Sequence, residues 1–381
     1  MSMRIAITSN FSHDFFSNGL AQNVVTLYEA IEKIGMDPFF IDFSELSKGG
    51  KLIPHKFINN KKLISWKDYC REKTHTDVAI GASIYIDPPI DREIKSKSPK
   101  AKIASLHYGN NLLSILCEWF SNGEYNELQQ PKRTSSEIKP DECWLSPHYS
   151  FAKDYFEFTE RCDVKIMPYI WTPKFITNLS RELGLKLGYR PGKKTNIAVL
   201  EPNINVTKNF FIPLLAICEL LERDPNAFSE AFIYGASGII EDPKKTGIKE
   251  YLLESTTCGT QLAAGKIKFR TREKTSGVLH NLNPLVLSHQ HLNELNYTYL
   301  EAINFGYPLV HNAKAIKEFG YYYKNFELKS AADMIAAASK HHDDNLGEYI
   351  SHGKELVWRY SPNNPVNQAN IEKLITDLHK K

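Results

Sequence analysis

The stretch Asn293-Glu-Leu-Asn-Tyr-Thr-Tyr-Leu-Glu-Ala-Ile-Asn-Phe-Gly-Tyr-Pro308 decides how the chain is read. Asn293 is a good helix cap, and Leu295 with the aromatic and aliphatic residues behind it forms an apolar face. Gly306 suits the left-handed position past a helix, and Pro308 forbids continuation. The spacing therefore predicts a helix of about three turns. Its opening residues, Asn293, Glu294, Leu295 and Asn296, would offer unpaired backbone amides to a diphosphate. Glu301, some two turns further along, would receive ribose hydroxyls. The plain alternative is an ordinary amphipathic helix with a half-exposed glutamate, so the flanking sequence has to decide.

Upstream, Pro284 to Ser288 is a short apolar run that reads as a buried parallel strand, and it empties into His289-Gln290-His291. Downstream, Tyr307 to Asn312 reads as the next strand. Ligands of open α/β sheets sit beyond the carboxyl ends of strands, which places His289, His291, Asn293, Glu301, His311 and Asn312 around one crevice.

Further out, the pattern repeats. Arg4 to Thr8, the helical period from Asn23 to Ile34 and the run Pro38 to Phe43 make one βαβ unit. The loop between its first strand and helix is long and carries Asn10, His13, Asp14, Asn18, Gly19 and Gln22, as a functional loop would. Val78 to Ile86, Lys102 to Leu106 and Glu142 to Ser146 read as later strands, the second of them delivering His107, Gly109 and Asn110 to the same edge. Another unit opens at Thr195 to Asn203, followed by a helix from Lys208 to Glu222. A lysine in a first helical turn opposes the dipole, so Lys208 is read as reaching for an anion. Strand alternation from Lys266 to Lys274 would put Lys266, Lys268, Arg270, Arg272 and Lys274 on one face, as a charged edge or as diphosphate contacts by Arg270 and Arg272.

The chain has 381 residues, 42% of them hydrophobic, and a net charge of +3, which suits two α/β domains. No run approaches the roughly 18 apolar residues of a membrane span, and the start leads straight into a strand; a soluble, cytoplasmic protein is expected. Six cysteines without a Cys-x-x-Cys pair indicate neither a zinc site nor a disulfide framework, and are expected to be reduced and mostly buried. Residues 48 to 102 hold 13 Lys and Arg against 6 Asp and Glu. Trp66, Lys95 and Lys97 lie in this window with Phe57 and Tyr69, a composition that would track a phosphate backbone and stack on a base, although solvated basic loops have the same composition.

The run Val286 to Asn312 resembles the nucleotide-sugar segment of GT-B glycosyltransferases, in which two acidic residues eight positions apart flank the helix and the second holds the ribose. Glu301 matches the second position; Asn293 stands at the first, so no stereochemical outcome is implied. The chain as a whole is similar to a group of bacterial and phage proteins long catalogued as a domain of unknown function. That likeness rests on Ile7-Thr-Ser-Asn10 with Gly19 to Asn23, Pro168 to Trp171, Glu201-Pro-Asn203 with Lys208, and Ser288 to Asn312 with Gly320 to Tyr323.

The resemblance implies an α/β fold of GT-B type: two Rossmann-like doubly wound domains facing a central cleft, residues 1–170 for the acceptor and 171–357 for the nucleotide sugar, with 358–381 returning to the first domain as a helix. It implies a glycosyltransferase with a UDP-sugar as donor substrate, no other cofactor and no metal, since no Asp-x-Asp is placed to hold one. Asp14, His13 and His107 are the candidate catalytic groups. Glu301, Asn293 to Asn296, Lys208, Arg270, Arg272, His289 and His311 belong to the donor side. Asn10, Asn18, Gly19, Gln22, Gly109, Asn110, Trp66, Lys95 and Lys97 belong to the acceptor side. A hydroxymethylated pyrimidine in phage DNA and a cell-surface glycan or lipopolysaccharide are the competing acceptors; a sugar-nucleotide epimerase or a non-catalytic sugar-nucleotide-binding protein are the competing functions.

Overall fold

A computed structural model describes residues 2–16, 19–47, 50–121, 138–192, 195–203, 206–242, 246–254 and 258–381. The chain divides into two compact units, one built from the residues up to Thr172 together with Trp358–Lys381, the other from Pro173–Val357.

In the first unit the apolar runs become strands β1 (Arg4–Ser9), β2 (Asp37–Asp42), β3 (Leu63–Ser65), β4 (Val78–Gly81), β5 (Lys102–His107), β6 (Glu142–Leu145) and β7 (Asp163–Ile166). They form one parallel sheet in the order β3-β2-β1-β4-β5-β6-β7. Ile5, Ala6 and Ile7 of β1 are buried in succession, as a strand covered on both faces requires. From β1 the chain builds outward to β3, then returns to place β4 on the other side of β1. The carboxyl ends of β1 and β4 therefore flank the point where the order reverses, the usual ligand crevice of such sheets. β4 is shorter than its sequence suggests because the chain turns over Thr8, whose Oγ1 accepts from the amides of Ala82 (2.9 Å) and Ile84 (3.2 Å).

The last helix, Pro365–Lys380, is capped by Asn364, whose side chain accepts from Val366 N. It packs against the helix Leu20–Lys33 and buries Ile371, Ile375 and Leu378. Lys33 reaches Asn363, and Lys381 pairs with Glu142 (2.8 Å) and Asp163 (2.9 Å).

The second unit contains β8 (Ile197–Val199), β9 (Ala231–Tyr234), β10 (Ile267–Arg270), β11 (Leu285–Leu287), β12 (Leu309–His311) and β13 (Tyr321–Tyr322), parallel in the order β10-β9-β8-β11-β12-β13. The reversal falls between β8 and β11. Gly306 takes φ 74° after the helix Tyr297–Asn304, and Gly320 takes φ 67°, where a Cβ would meet Leu309 O at 2.8 Å. Both positions need glycine.

Three expectations are corrected here. The helix after β11 starts at Tyr297 and has two turns, with Asn296 as its cap; Asn293 instead donates from Nδ2 to Gln290 Oε1. The helix after β8 is Phe211–Arg223, so Lys208 precedes it and is not in its first turn. The cysteines are not all reduced, because Cys218 and Cys258 form a disulfide between two helices within the apolar core. Of the remaining four only Cys143 is buried. Spacing rules are blind to a pairing made by the packing of distant helices.

Candidate functional site

Glu201 stands two residues beyond β8, and Ser288 immediately follows β11, so the reversal of strand order brings them together. Ser288 Oγ donates to Glu201 Oε1, Gln290 Nε2 donates to Oε2 at 3.2 Å, and Tyr299 Oη lies 2.9 Å from Ser288 Oγ. Glu201 is 3% exposed, and burial pushes its carboxyl up to about 7 against the pull of Ser288, Lys208 and Gln290. Lys208 joins the cluster through an antiparallel bridge to Gln290, with His291 N donating to Thr207 O at 2.9 Å. Burial lowers the Lys208 ammonium and the Glu201 charge opposes that shift. Gln290 passes the order outward to Asn293 (2.9 Å) and to Asn312, which accepts from Gln290 N at 2.9 Å.

Glu301 projects from the second turn of the helix Tyr297–Asn304. It is 9% exposed, and among the described residues its carboxylate has no hydrogen bond or ion pair. Burial alone pushes it up to about 7. His289 is in a like position: Nδ1 lies 3.0 Å from Tyr323 Oη, the ring packs against Phe326 at 4.6 Å, and Nε2 is buried with no partner among the described residues. Burial and His291 bring it down to about 4, so the ring is neutral at pH 7. Asn203, at φ 55°, donates to Tyr234 O while its buried Oδ1 has no partner among the described residues. Thus the strand ends of the second unit carry a carboxylate, a carbonyl and a ring nitrogen with unused accepting capacity, all of which call for donors such as hydroxyls.

The other donor-side candidates separate. Glu294 Oε2 accepts from Ala315 N (2.9 Å) and fixes the turn after β12, Leu295 is buried, and Asn296 caps the helix. His311 is fully buried with both ring nitrogens spent, on Phe319 O (2.7 Å) and Ala313 N (3.1 Å), so it holds a turn and does not face the crevice. Arg270 ends β10 over the Phe232 ring, two strands from β8 and so roughly 10 Å away. Arg272 lies past the strand end, outside the predicted alternation.

In the first unit Asn10 folds the loop after β1, its Oδ1 accepting from Ser12 N and its Nδ2 donating to Ser47 Oγ (2.8 Å). Asp14 Oδ1 accepts from Phe16 N at 3.1 Å, and His13 and Asp14 are exposed. Asn18 lies outside the described residues. Gly19 is the cap position of Leu20–Lys33 and Gln22 is buried in its first turn. Gly109 precedes Asn110, whose Oδ1 accepts from Leu113 N and so caps the helix Asn111–Ser121.

His107 is corrected as a catalytic candidate. It is 1% exposed; Asn111 Nδ2 donates to its Nδ1 at 2.7 Å, which leaves the proton on Nε2, facing Ser105 Oγ (3.2 Å) and Glu160 (3.5 Å). A ring enclosed on both sides serves the core.

The basic window is corrected as well. Lys95 pairs with Asp91 (3.0 Å), Lys97 with Glu93, Lys61 with Glu29 (3.1 Å), Lys62 with Asp37 and Lys102 with Asp141 (3.5 Å). Lys97 also lies over the Tyr69 ring at 4.4 Å, and Trp66 stacks inward on Phe43 at 5.1 Å. Lys61 and Lys62 precede β3, while Lys95, Lys97 and Lys100 precede β5, which Lys102 opens. That is the amino edge of the sheet, opposite the strand ends where ligands bind.

Glu201, Ser288, Gln290 and Tyr323 stand in the segments that carry the resemblance, but the sequence named none of them as a site residue. The available signal was an acid directly behind a short apolar run, Ile197 to Leu200, at the first strand of a βαβ unit. Among the described residues no group of three or more His, Cys, Asp or Glu is arranged to hold a metal ion, and no helix is long and apolar enough to cross a membrane.

Two parallel sheets of this kind, each with a strand-order reversal, make up the GT-B fold, and solved glycosyltransferase structures match it over nearly the whole chain. They include sucrose-phosphate synthase from Thermosynechococcus elongatus (10% identity, TM-score 0.57, 99% of each chain covered). An α-glucosyltransferase in complex with UDP and a 13-mer DNA containing an HMU base matches at 12% identity and TM-score 0.57, with 100% of each chain covered. The pneumococcal O-GlcNAc transferase GtfA, in complex with UDP and GlcNAc, matches at 10% identity and TM-score 0.53, also over 100% of each chain. The chain belongs to the family described as proteins of unknown function, DUF2827, whose model matches residues 5–375. No curated protein sequence matches it.

Proposed function

We infer that this protein transfers a sugar from a UDP-sugar to a hydroxyl acceptor. The observation that carries the reading is Glu301, 9% exposed and with no hydrogen bond or ion pair among the described residues, in the helix that follows the strand-order reversal of the second unit. A ribose diol supplies two donors to such a group. The similar structures that hold UDP support uridine as the base.

In this reading Lys208 faces the diphosphate and stabilises the charge that grows as it leaves, with Arg270 or Arg272 adding a more distant positive field in place of a metal, while the first amides of Tyr297–Asn304 are held by the Asn296 cap. Glu201 positions Lys208 and Gln290. His289 Nε2, neutral and accepting, orients a hydroxyl of the sugar. Asp14 and His13 are the groups of the first unit available to draw the proton from the acceptor. The similar structure holding HMU-containing DNA supports a second reading of the acceptor, a hydroxymethylated pyrimidine.

Calorimetric titration with UDP and UDP-sugars tests the donor site. Glu301→Ala should weaken binding by roughly 1.5–3 kcal/mol, the worth of a charge-assisted hydrogen bond, with a cooperative melting transition retained. Undiminished binding would remove Glu301 from the site.

A further inference from the structure

A pocket of 270 Å³ opens in the first unit beyond β1, lined by Phe11, His13, Asp14, Phe15, Ile53 and His55. Two segments distant in sequence build it. Ile53 N donates to Phe11 O at 3.0 Å, and Phe11 N donates to Ser44 Oγ at 2.7 Å. Ser44 in turn donates, from its amide and its hydroxyl, to the buried Asp42. The Phe15 and His55 rings stack at 4.6 Å with planes 9° apart, and Phe57 lies 5.4 Å from Phe15. The wall is therefore a set of packed rings anchored to the ends of β1 and β2.

The lining pairs this apolar wall with a carboxylate and an imidazole at the rim, and it includes no lysine or arginine; Lys56 lies over the Phe57 ring, outside the lining. A pyranose has the complementary faces, C–H groups on one side and hydroxyls around the edge. A phosphodiester would bring its charge against Asp14; Lys95, Lys97 and Lys102 are paired at the other edge of the sheet, and Lys51 and Lys56 flank the wall without lining the pocket. We propose that this pocket binds the acceptor and that the acceptor is a carbohydrate ring, not a base in DNA. The proposal rests on the glycosyltransferase reading and deepens it.

The test uses the full-length protein without nucleotide. Methyl pyranosides of glucose, galactose, N-acetylglucosamine and rhamnose are compared with a 13-mer DNA carrying one hydroxymethyluracil, by saturation-transfer NMR and titration. At least one pyranoside should receive transfer at its ring C–H protons. Its binding should weaken roughly tenfold in Phe15→Ala, as the loss of a ring contact implies. Asp14→Asn, an exposed change that spares the fold, should weaken it as well, and UDP titration should be unaltered in both variants. A panel that is silent, a pyranoside signal indifferent to both substitutions, or an oligonucleotide whose binding depends on Phe15 and Asp14 would overturn the proposal. Failure of the wild-type protein to bind UDP would instead strike the donor reading, since the pyranoside arm contains no nucleotide.

Discussion

Glu201 and Glu301 give the second unit a pH signature. Each carboxyl stands near 7 in the folded chain against an ordinary 4.5, so the native state keeps protons that the unfolded chain releases. Their contribution to stability is full below about pH 4.5 and is lost as the pH rises through about 7. Donor binding should run the other way, because ribose hydroxyls prefer the ionised Glu301. Affinity for a UDP-sugar, whose diphosphate does not titrate near neutrality, should climb by up to about tenfold per pH unit from 5 towards 7 and then level off. Glu301→Gln should remove most of that slope, any remainder belonging to Glu201. A Gln variant with the wild-type profile would show that the titrating contact is another group.

At the scale of elements, Lys208 belongs to the loop before Phe211–Arg223 and not to the helix itself. Its bridge to Gln290 sets Lys208 beside Glu201 at the end of β8. Lys208→Ala should therefore weaken UDP by roughly 1.5–3 kcal/mol and leave uridine nearly unchanged, since only the former carries the anion. Equal losses for both ligands in calorimetry would make the effect structural. Element types were legible because apolar period and glycine placement are local properties. The start of the helix at Tyr297 was not, since Asn293 and Asn296 are equally good caps and the choice depends on Gln290, which captures the former. The basic window misled for a related reason: composition counts lysines, whereas pairs such as Lys61 with Glu29 exist only once strands and helices are placed. The place of Glu301 on a buried helix face was readable because it depends on the local pattern, while the hydrogen bonds of Glu201 come from Ser288 and Gln290, nearly ninety residues away.

At the scale of the molecule, the two units hold separate cores, and the first depends on the end of the chain. Ile375 is fully buried under the helix Leu20–Lys33. Ile375→Ala should cost about 2–5 kcal/mol, the usual range for a buried aliphatic truncation. Hydrogen exchange read by peptide should show the loss in segments 20–33 and 365–380, with protection across 211–223 and 285–303 retained. Equal deprotection of both units would mean that they unfold together. The division into two sheets was foreseeable from the two βαβ openings at Arg4 and Thr195, yet nothing local in 365–381 says which sheet its apolar stripe will cover.

The chain leaves the first unit at Thr172 and re-enters it at Trp358. During synthesis the whole of Pro173–Val357 is therefore made between the sheet of the first unit and the helix that covers it, an interval of roughly ten to forty seconds at ribosomal pace. Through that interval the part of Leu20–Lys33 that meets the last helix waits uncovered while the later unit completes its own core. The emerging polypeptide thus finishes its second half before its first, and it is the earlier-made half that a chaperone would have to shelter.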